Sequence, residues 1–202
     1  MPPNSARAPD FWIFGGPNGS GKSTAYRHIG VDGVGAAFWI VNPDLLTIRI
    51  QQAEGMDLGA ANLAAVQRLE TWLEATLRVH QSLGVETVLS TPKYRGVVEL
   101  AQSLGFRVRL FYVMLDTPER NVARVKERVE KGGHDVPPEK IVERYWRSLA
   151  QLPWFLAQSH VADIYDNSGP SPRRVGGKSD GVIDLAPDAP ANLVRALAPL
   201  PE

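Results

Sequence analysis

An apolar run, Phe11-Trp12-Ile13-Phe14, leads through Gly15 into Gly16-Pro17-Asn18-Gly19-Ser20-Gly21-Lys22-Ser23, with Thr24 next. Few folds accommodate that spacing. Its glycines let the backbone curl until successive N–H groups converge on one anion. A helix beginning near Lys22 adds its positive end. Lys22 then reaches β- and γ-phosphates, and the Ser23 hydroxyl ligates Mg²⁺. The candidate nucleotide-binding residues are therefore Gly16, Asn18, Gly19, Ser20, Gly21, Lys22, Ser23 and Thr24. A glycine-rich loop matching by chance would not need a strand before it and a helix after it, and this sequence supplies both signals. No Asn-Lys-x-Asp run reads guanine, so ATP with Mg²⁺ is the expected pairing.

The remainder alternates apolar runs with helical periods. Ala37 to Val41 reads as a second strand, stopped by Asn42-Pro43. Leu58, Ala61, Ala65, Leu69, Trp72, Leu73 and Leu77 recur at three and four, which predicts a helix over 60–83 that ends at Gly84. Val85–Leu89, Val108–Leu115 and Val161–Tyr165 read as further strands, with helices near 94–104, after Pro118 and after Pro137-Pro138. Beyond Ser168 the chain is rich in Gly and Pro, with a small hairpin (Arg174-Val175, Val182-Ile183) and a short helix near 192–197. Strand–helix alternation predicts βαβ units. The expected fold is a three-layer α/β P-loop NTPase, adenylate-kinase-like, with a five-stranded, mainly parallel sheet and helices on both faces. Residues 1–10 read as a disordered lead-in, 11–168 as the P-loop domain with a lid near 120–147, and 169–202 as a C-terminal extension packed on it.

Composition narrows the function. The chain has 202 residues, 44% of them hydrophobic, enough for one packed core. Lys plus Arg equals Asp plus Glu at 22 each, so nothing favours coating nucleic acid or an anionic membrane. Cysteine is absent, which excludes disulfides and thiolate chemistry. No apolar run approaches the roughly 20 residues a bilayer requires. A soluble, cytoplasmic protein without a membrane partner is the expectation.

Three features speak to the reaction. Asp44 follows the second strand, where strand ends of open parallel sheets face the ligand crevice. Its carboxylate there takes a proton from an acceptor hydroxyl; a turn that caps a helix is the plainer alternative. Glu86 and Thr87 interrupt an apolar strand, and a carboxylate there is costly unless it is bonded. Glu86 either orients Mg²⁺ waters and a substrate hydroxyl or pairs with Arg68 or Arg78. Arg120, Arg124 and Arg128 share one helix face. With Arg144 and Arg147 across Gly132-Gly133-His134, they form either a phosphate clamp on a closing lid or a solvated charged face. His134 reads as polar surface, with catalysis as the alternative. Lys93, Tyr94 and Arg95 border an acceptor site or begin a helix. Trp39, Trp72, Trp146 and Trp154 read as core. Asp166-Asn167-Ser168 lies beside the adenine or makes a plain turn. Leu115-Asp116 is the only loose match to the acidic strand end of a dedicated ATPase, and helix capping accounts for it.

With these residues in place, the chain resembles the zeta-toxin family of P-loop kinases, in its small zeta-like branch. The match runs from Gly15 to about Asn167. It rests on the phosphate loop, Asn42-Pro43-Asp44, Val85-Glu86-Thr87, and Arg124-Val125-Lys126-Glu127-Arg128-Val129 leading into Gly132-Gly133-His134-Asp135-Val136-Pro137. The resemblance implies an ATP/Mg²⁺-dependent kinase that phosphorylates a sugar hydroxyl of UDP-N-acetylglucosamine and is restrained by an antitoxin. By position it makes Asp44 the base, Lys22 the phosphate lysine, Glu86 a site carboxylate with Thr87 beside it, and Arg128 a phosphate contact. The better-known toxins carry a second lid arginine where this chain has His134-Asp135, and Arg144 is the expected substitute. A kinase of another small acceptor (nucleoside, antibiotic or polyol), an acceptor-free nucleotide-gated ATPase and a polynucleotide kinase are the competing readings.

Overall fold

The computed structural model describes residues 8–29, 39–133 and 135–198. Ala37, Phe38 and His134 lie outside them. A seven-stranded sheet runs in the order β2-β3-β1-β4-β5-β6-β7. Strands β2 (Trp39–Val41), β3 (Leu83–Thr87), β1 (Asp10–Gly15), β4 (Arg107–Met114) and β5 (Val161–Asp166) are all parallel. These are the five expected strands. The chain leaves β1 for one side of the sheet and later returns to β4 on the other, so the carboxyl end of β1 is a topological switch point.

The expectation of five strands needs correcting to seven. β6 (Arg173–Ser179) and β7 (Val182–Leu185) form the hairpin and join the open edge of β5 antiparallel. Gly176 and Gly177 make that docking feasible. A Cβ on Gly177 would sit 2.2 Å from the Ala162 carbonyl oxygen, and one on Gly176 2.8 Å from that of Asp184. Arg174 then ties the three strands by pairing with Asp163 at 2.8 Å and Asp184 at 2.7 Å.

Side chains alternate across the strands. Phe11, Ile13, Val108, Leu110 and Tyr112 face one way, into a core built with α3 (Leu58–Arg78), α4 (Arg95–Ser103), α6 (Pro138–Gln158) and α7 (Ala191–Leu197). Trp12, Phe14, Phe111 and Val113 face the other, against Ala25 of α1 (Lys22–Ile29). α5 (Pro118–Glu130) meets α6 through a separate small cluster of Val125, Val136 and Ile141.

Three boundaries differ from expectation. α3 stops at Arg78 because the chain turns at His80, which adopts φ 56°. Gly84 is no helix stop; it sits inside β3, paired with Trp12 and Ile40. The segment after β3 begins as a 3₁₀ turn, Pro92–Tyr94, before α4. Asp116 does not cap α5: it pairs with Arg120 at 2.9 Å, while Thr117 holds the N-cap position.

Candidate active site: a phosphate loop and two nearby cavities

The loop from Gly16 to Gly21 joins β1 to α1 at the switch point. Gly16 is obligatory there. Its φ is +139°, and an added Cβ would lie 2.0 Å from the Val113 carbonyl oxygen of β4. Backbone cannot yield as a side chain can. Gly16→Ala is therefore expected to destabilise the protein by roughly 3 kcal/mol or more, seen as lost soluble protein or a sharply lowered melting temperature.

Lys22 begins α1 and folds back over the loop. Its ammonium donates to the carbonyls of Gly16 at 2.7 Å and Pro17 at 3.1 Å, and the residue is buried. Burial pushes its pKa below the ordinary lysine value; the carboxylates of Glu86 and Asp44 oppose that shift, and the Arg128 guanidinium adds to it. These four charges therefore share one field.

The Ser23 hydroxyl lies 2.9 Å from each carboxylate oxygen of Glu86 and can donate to either. This explains the acidic residue inside an apolar strand. Phe14 and Glu86 are register partners, which puts the carboxylate on the α1 side of the sheet beside the first turn of that helix. Arg68 and Arg78 pair with Glu54 and Glu74. Thr87 is buried, and its hydroxyl accepts from the Leu89 amide at 3.1 Å, steadying a turn in which Leu89 has φ 58°.

Asp44 stands in the first turn of α2 (Pro43–Glu54), exposed to solvent. Asn42 caps that helix by accepting from the Asp44 amide at 2.9 Å, so the capping and site readings hold together. Burial raises the pKa of the Tyr94 hydroxyl, and the Asp44 and Glu70 carboxylates add to it. The Asp44 charge thus acts on Lys22, Lys93 and Tyr94, but the residue lines neither of the two cavities beside the loop.

The arginine row divides. Arg120 is spent on Asp116. Arg124 donates to the Asn167 carbonyl at 2.7 Å. Arg124 and Arg128 line a cavity of about 520 Å³ with Gly19, Gly21, Thr24, Glu127, Lys131 and Asn167. Arg147 pairs with Glu143 at 3.2 Å. Arg144 is half-buried on α6 and lines neither this cavity nor the next.

A second cavity, about 610 Å³, has the Ser23–Glu86 pair in its wall. Trp39, Trp72, Leu45, Leu46, Arg49 and Arg68 complete much of it. The core assignment of two tryptophans is corrected by exposure: Trp39 is 76% exposed on edge strand β2, and Trp146 is 45% exposed on α6. Trp72 is half-buried, one residue off the buried stripe of α3. Trp154 packs partly buried against the main core with Arg95 over its ring. Sequence reasoning missed Arg49, Glu127, Lys131 and Asn121, because only the packed fold shows which cavity or loop each one meets.

Parallel strands, switch point and amide-lined loop together define a P-loop nucleotide-binding domain. The match to known families agrees: residues 11–152 match the AAA_33 family, described as an AAA domain, and the chain belongs to it. It is 28% identical over 130 residues to an uncharacterized protein of Haemophilus influenzae, covering 64% of this chain and 88% of that one. Among solved structures it is similar to one from the PezAT chromosomal toxin–antitoxin system of Streptococcus pneumoniae. That likeness has a TM-score of 0.65 and 18% identity over 88% of this chain and 76% of the other. The AvrRxo1-ORF1:AvrRxo1-ORF2 complex with sulphate ions gives a TM-score of 0.69 and 17% identity over 94% of this chain. This chain spans 63% of the length of that neighbour. At such identities these likenesses concern the fold.

Proposed function

We propose that the protein is an ATP- and Mg²⁺-dependent kinase that passes the γ-phosphoryl group to a hydroxyl of a small acceptor. The observation that carries this reading is the second, partly apolar cavity, whose wall includes the Ser23–Glu86 pair one residue along α1 from Thr24 of the loop's cavity. An ATPase that uses only water has no need of the second chamber. A hydroxyl beside a carboxylate is the hard-oxygen donor set that suits Mg²⁺. Bound there, the ion would neutralise charge on the phosphate chain.

The chain's own groups divide the work. Gly16 to Thr24 hold the phosphates, while Lys22, Arg124 and Arg128 offset charge as the phosphoryl group moves. Asp44 accepts the acceptor's proton. Glu86 borders the acceptor, while Thr87, on the opposite face of β3, supports it through the turn at Leu89. Arg144 joins the cationic cover only if α6 closes further on the loop. The zeta-toxin resemblance names UDP-N-acetylglucosamine as the acceptor, and the structural neighbours from a toxin–antitoxin system and a two-protein complex support an antitoxin-like partner. Trp39, Trp72 and Arg49 in the chamber's lining suit an acceptor with a ring and negative charge. Among the described residues no helix is long and apolar enough to cross a membrane.

The test is ATP turnover with and without UDP-N-acetylglucosamine, a nucleoside, an aminoglycoside, a polyol and a 5′-hydroxyl oligonucleotide, with products weighed by mass spectrometry. A phosphorylated small molecule is the expected result. Hydrolysis at one rate whatever is added, with no phosphorylated acceptor, would replace the kinase with an ATPase module.

A further inference from the structure

We propose that Asn121 and Asn167 are paired positioning residues that aim the phosphate loop's amides, so that a residue beyond the matched family domain, Asn167, completes the nucleotide site. The inference rests on the nucleotide-binding reading above. Asn121 is fully buried on α5, and its side-chain amide donates to the Asn18 carbonyl at 2.6 Å. Asn167, just past β5, donates in the same way to the Ser20 carbonyl at 2.8 Å. Its own backbone is fixed at both ends: its N–H donates to the Met114 carbonyl at 2.9 Å, and its carbonyl accepts from Arg124 at 2.7 Å.

The consequence follows from peptide geometry. In a planar trans unit, the carbonyl of one residue and the N–H of the next point in opposite directions. Holding the Asn18 carbonyl therefore fixes the Gly19 N–H, and holding the Ser20 carbonyl fixes the Gly21 N–H, each facing away from its asparagine. Gly19 and Gly21 are the loop glycines that line the phosphate-side cavity. The fit is tight as well: a Cβ on Gly19 would lie 2.7 Å from the Asn121 carbonyl oxygen, and one on Gly21 2.5 Å from the Asn167 amide nitrogen. Preorganised donors of this kind cost no reordering when the anion arrives. Asn121 lies inside the matched span 11–152 and Asn167 outside it. The loop thus depends on a bond to a residue 147 positions away.

Asparagine-to-aspartate changes keep side-chain shape while removing the donor. Asn121→Asp, Asn167→Asp and Asn167→Ala in the full chain are to be titrated calorimetrically with ATP and with inorganic triphosphate. Asn167→Ala should weaken both ligands roughly threefold to tenfold, the worth of one hydrogen bond, and the aspartate changes by more, because a new carboxylate also repels the anion. With an acceptor, KM for ATP should rise while kcat changes less, and a merely structural role would instead lower melting temperature without altering the affinity of folded protein. Asn167 is only half-buried, so its variants carry the test if those at Asn121 do not fold. Unchanged triphosphate affinity in Asn167→Asp and Asn167→Ala would overturn the proposal. Wild-type protein that binds neither ligand would overturn the nucleotide reading itself, and this inference with it.

Discussion

Lys22→Ala is expected to cut phosphoryl transfer by roughly 10² to 10³, the usual cost of removing one preorganised charge from a transferring group. The fold should survive. The ammonium is held by the Gly16 and Pro17 carbonyls and buried, so the substitution strands two acceptors but also relieves a desolvated charge. A second signature lies in the pH dependence of stability without nucleotide. Burial lowers the Lys22 pKa from 10.5. Between the lowered value and 10.5 the unfolded chain binds more protons at this site than the folded one, so wild-type stability gains from rising pH there. Lys22→Ala should lose that alkaline gain, measurable as melting temperature against pH. Transfer undiminished in the variant would remove the lysine from the mechanism. On expression in a bacterial host, growth arrest by the wild type that persists with Lys22→Ala would separate toxicity from phosphoryl transfer.

The sequence exposed the chemistry better than the chambers around it. Lys22 and Ser23 sit in a motif whose backbone demands are strict, and Glu86 was conspicuous because a carboxylate in an apolar strand needs a partner; Ser23 is one. The five parallel strands were equally plain as apolar runs between helices, although the edge strand β2 buries none of its residues fully. β6 and β7 were visible only as a hairpin, since Gly176 and Gly177 pack by lacking side chains and a hydropathy pattern cannot show that. Gly84 was misread for a related reason: glycine interrupts a helix and fits a central strand alike. The four-residue spacing of Arg120, Arg124 and Arg128 showed a common face but not what that face meets, and the fold gives Arg120 to Asp116 and the other two to the cavity. The apolar period of α3 gathered Trp72 with Leu69 and Leu73, and Trp72 does pack against the core; that Leu69 and Trp72 also line a cavity is something the period cannot show. Asn121 and Asn167 act across separations of 103 and 147 residues, beyond any local pattern.

Asp44→Asn should lower acceptor phosphorylation by roughly 10² to 10⁴, the range for losing a general base. The change is nearly isosteric, and the Asn42 cap that orients this turn bonds to the backbone amide of residue 44, which the substitution keeps. Only the charge at the start of α2 is lost, worth about 0.3–1 kcal/mol, so the protein should remain folded. KM for ATP should hardly move, because Asp44 lines neither wall of the phosphate-side cavity. Asn42→Ala provides the contrast. It keeps the carboxylate but frees the turn, at about 1 kcal/mol in stability, and should reduce kcat less than Asp44→Asn does. The two variants together distinguish a proton acceptor from a helix-terminal charge. If Asp44→Asn phosphorylates acceptor at the wild-type rate, proton removal falls to another group. If acceptor-independent hydrolysis is the only activity and is indifferent to Asp44, the second cavity is not an acceptor site.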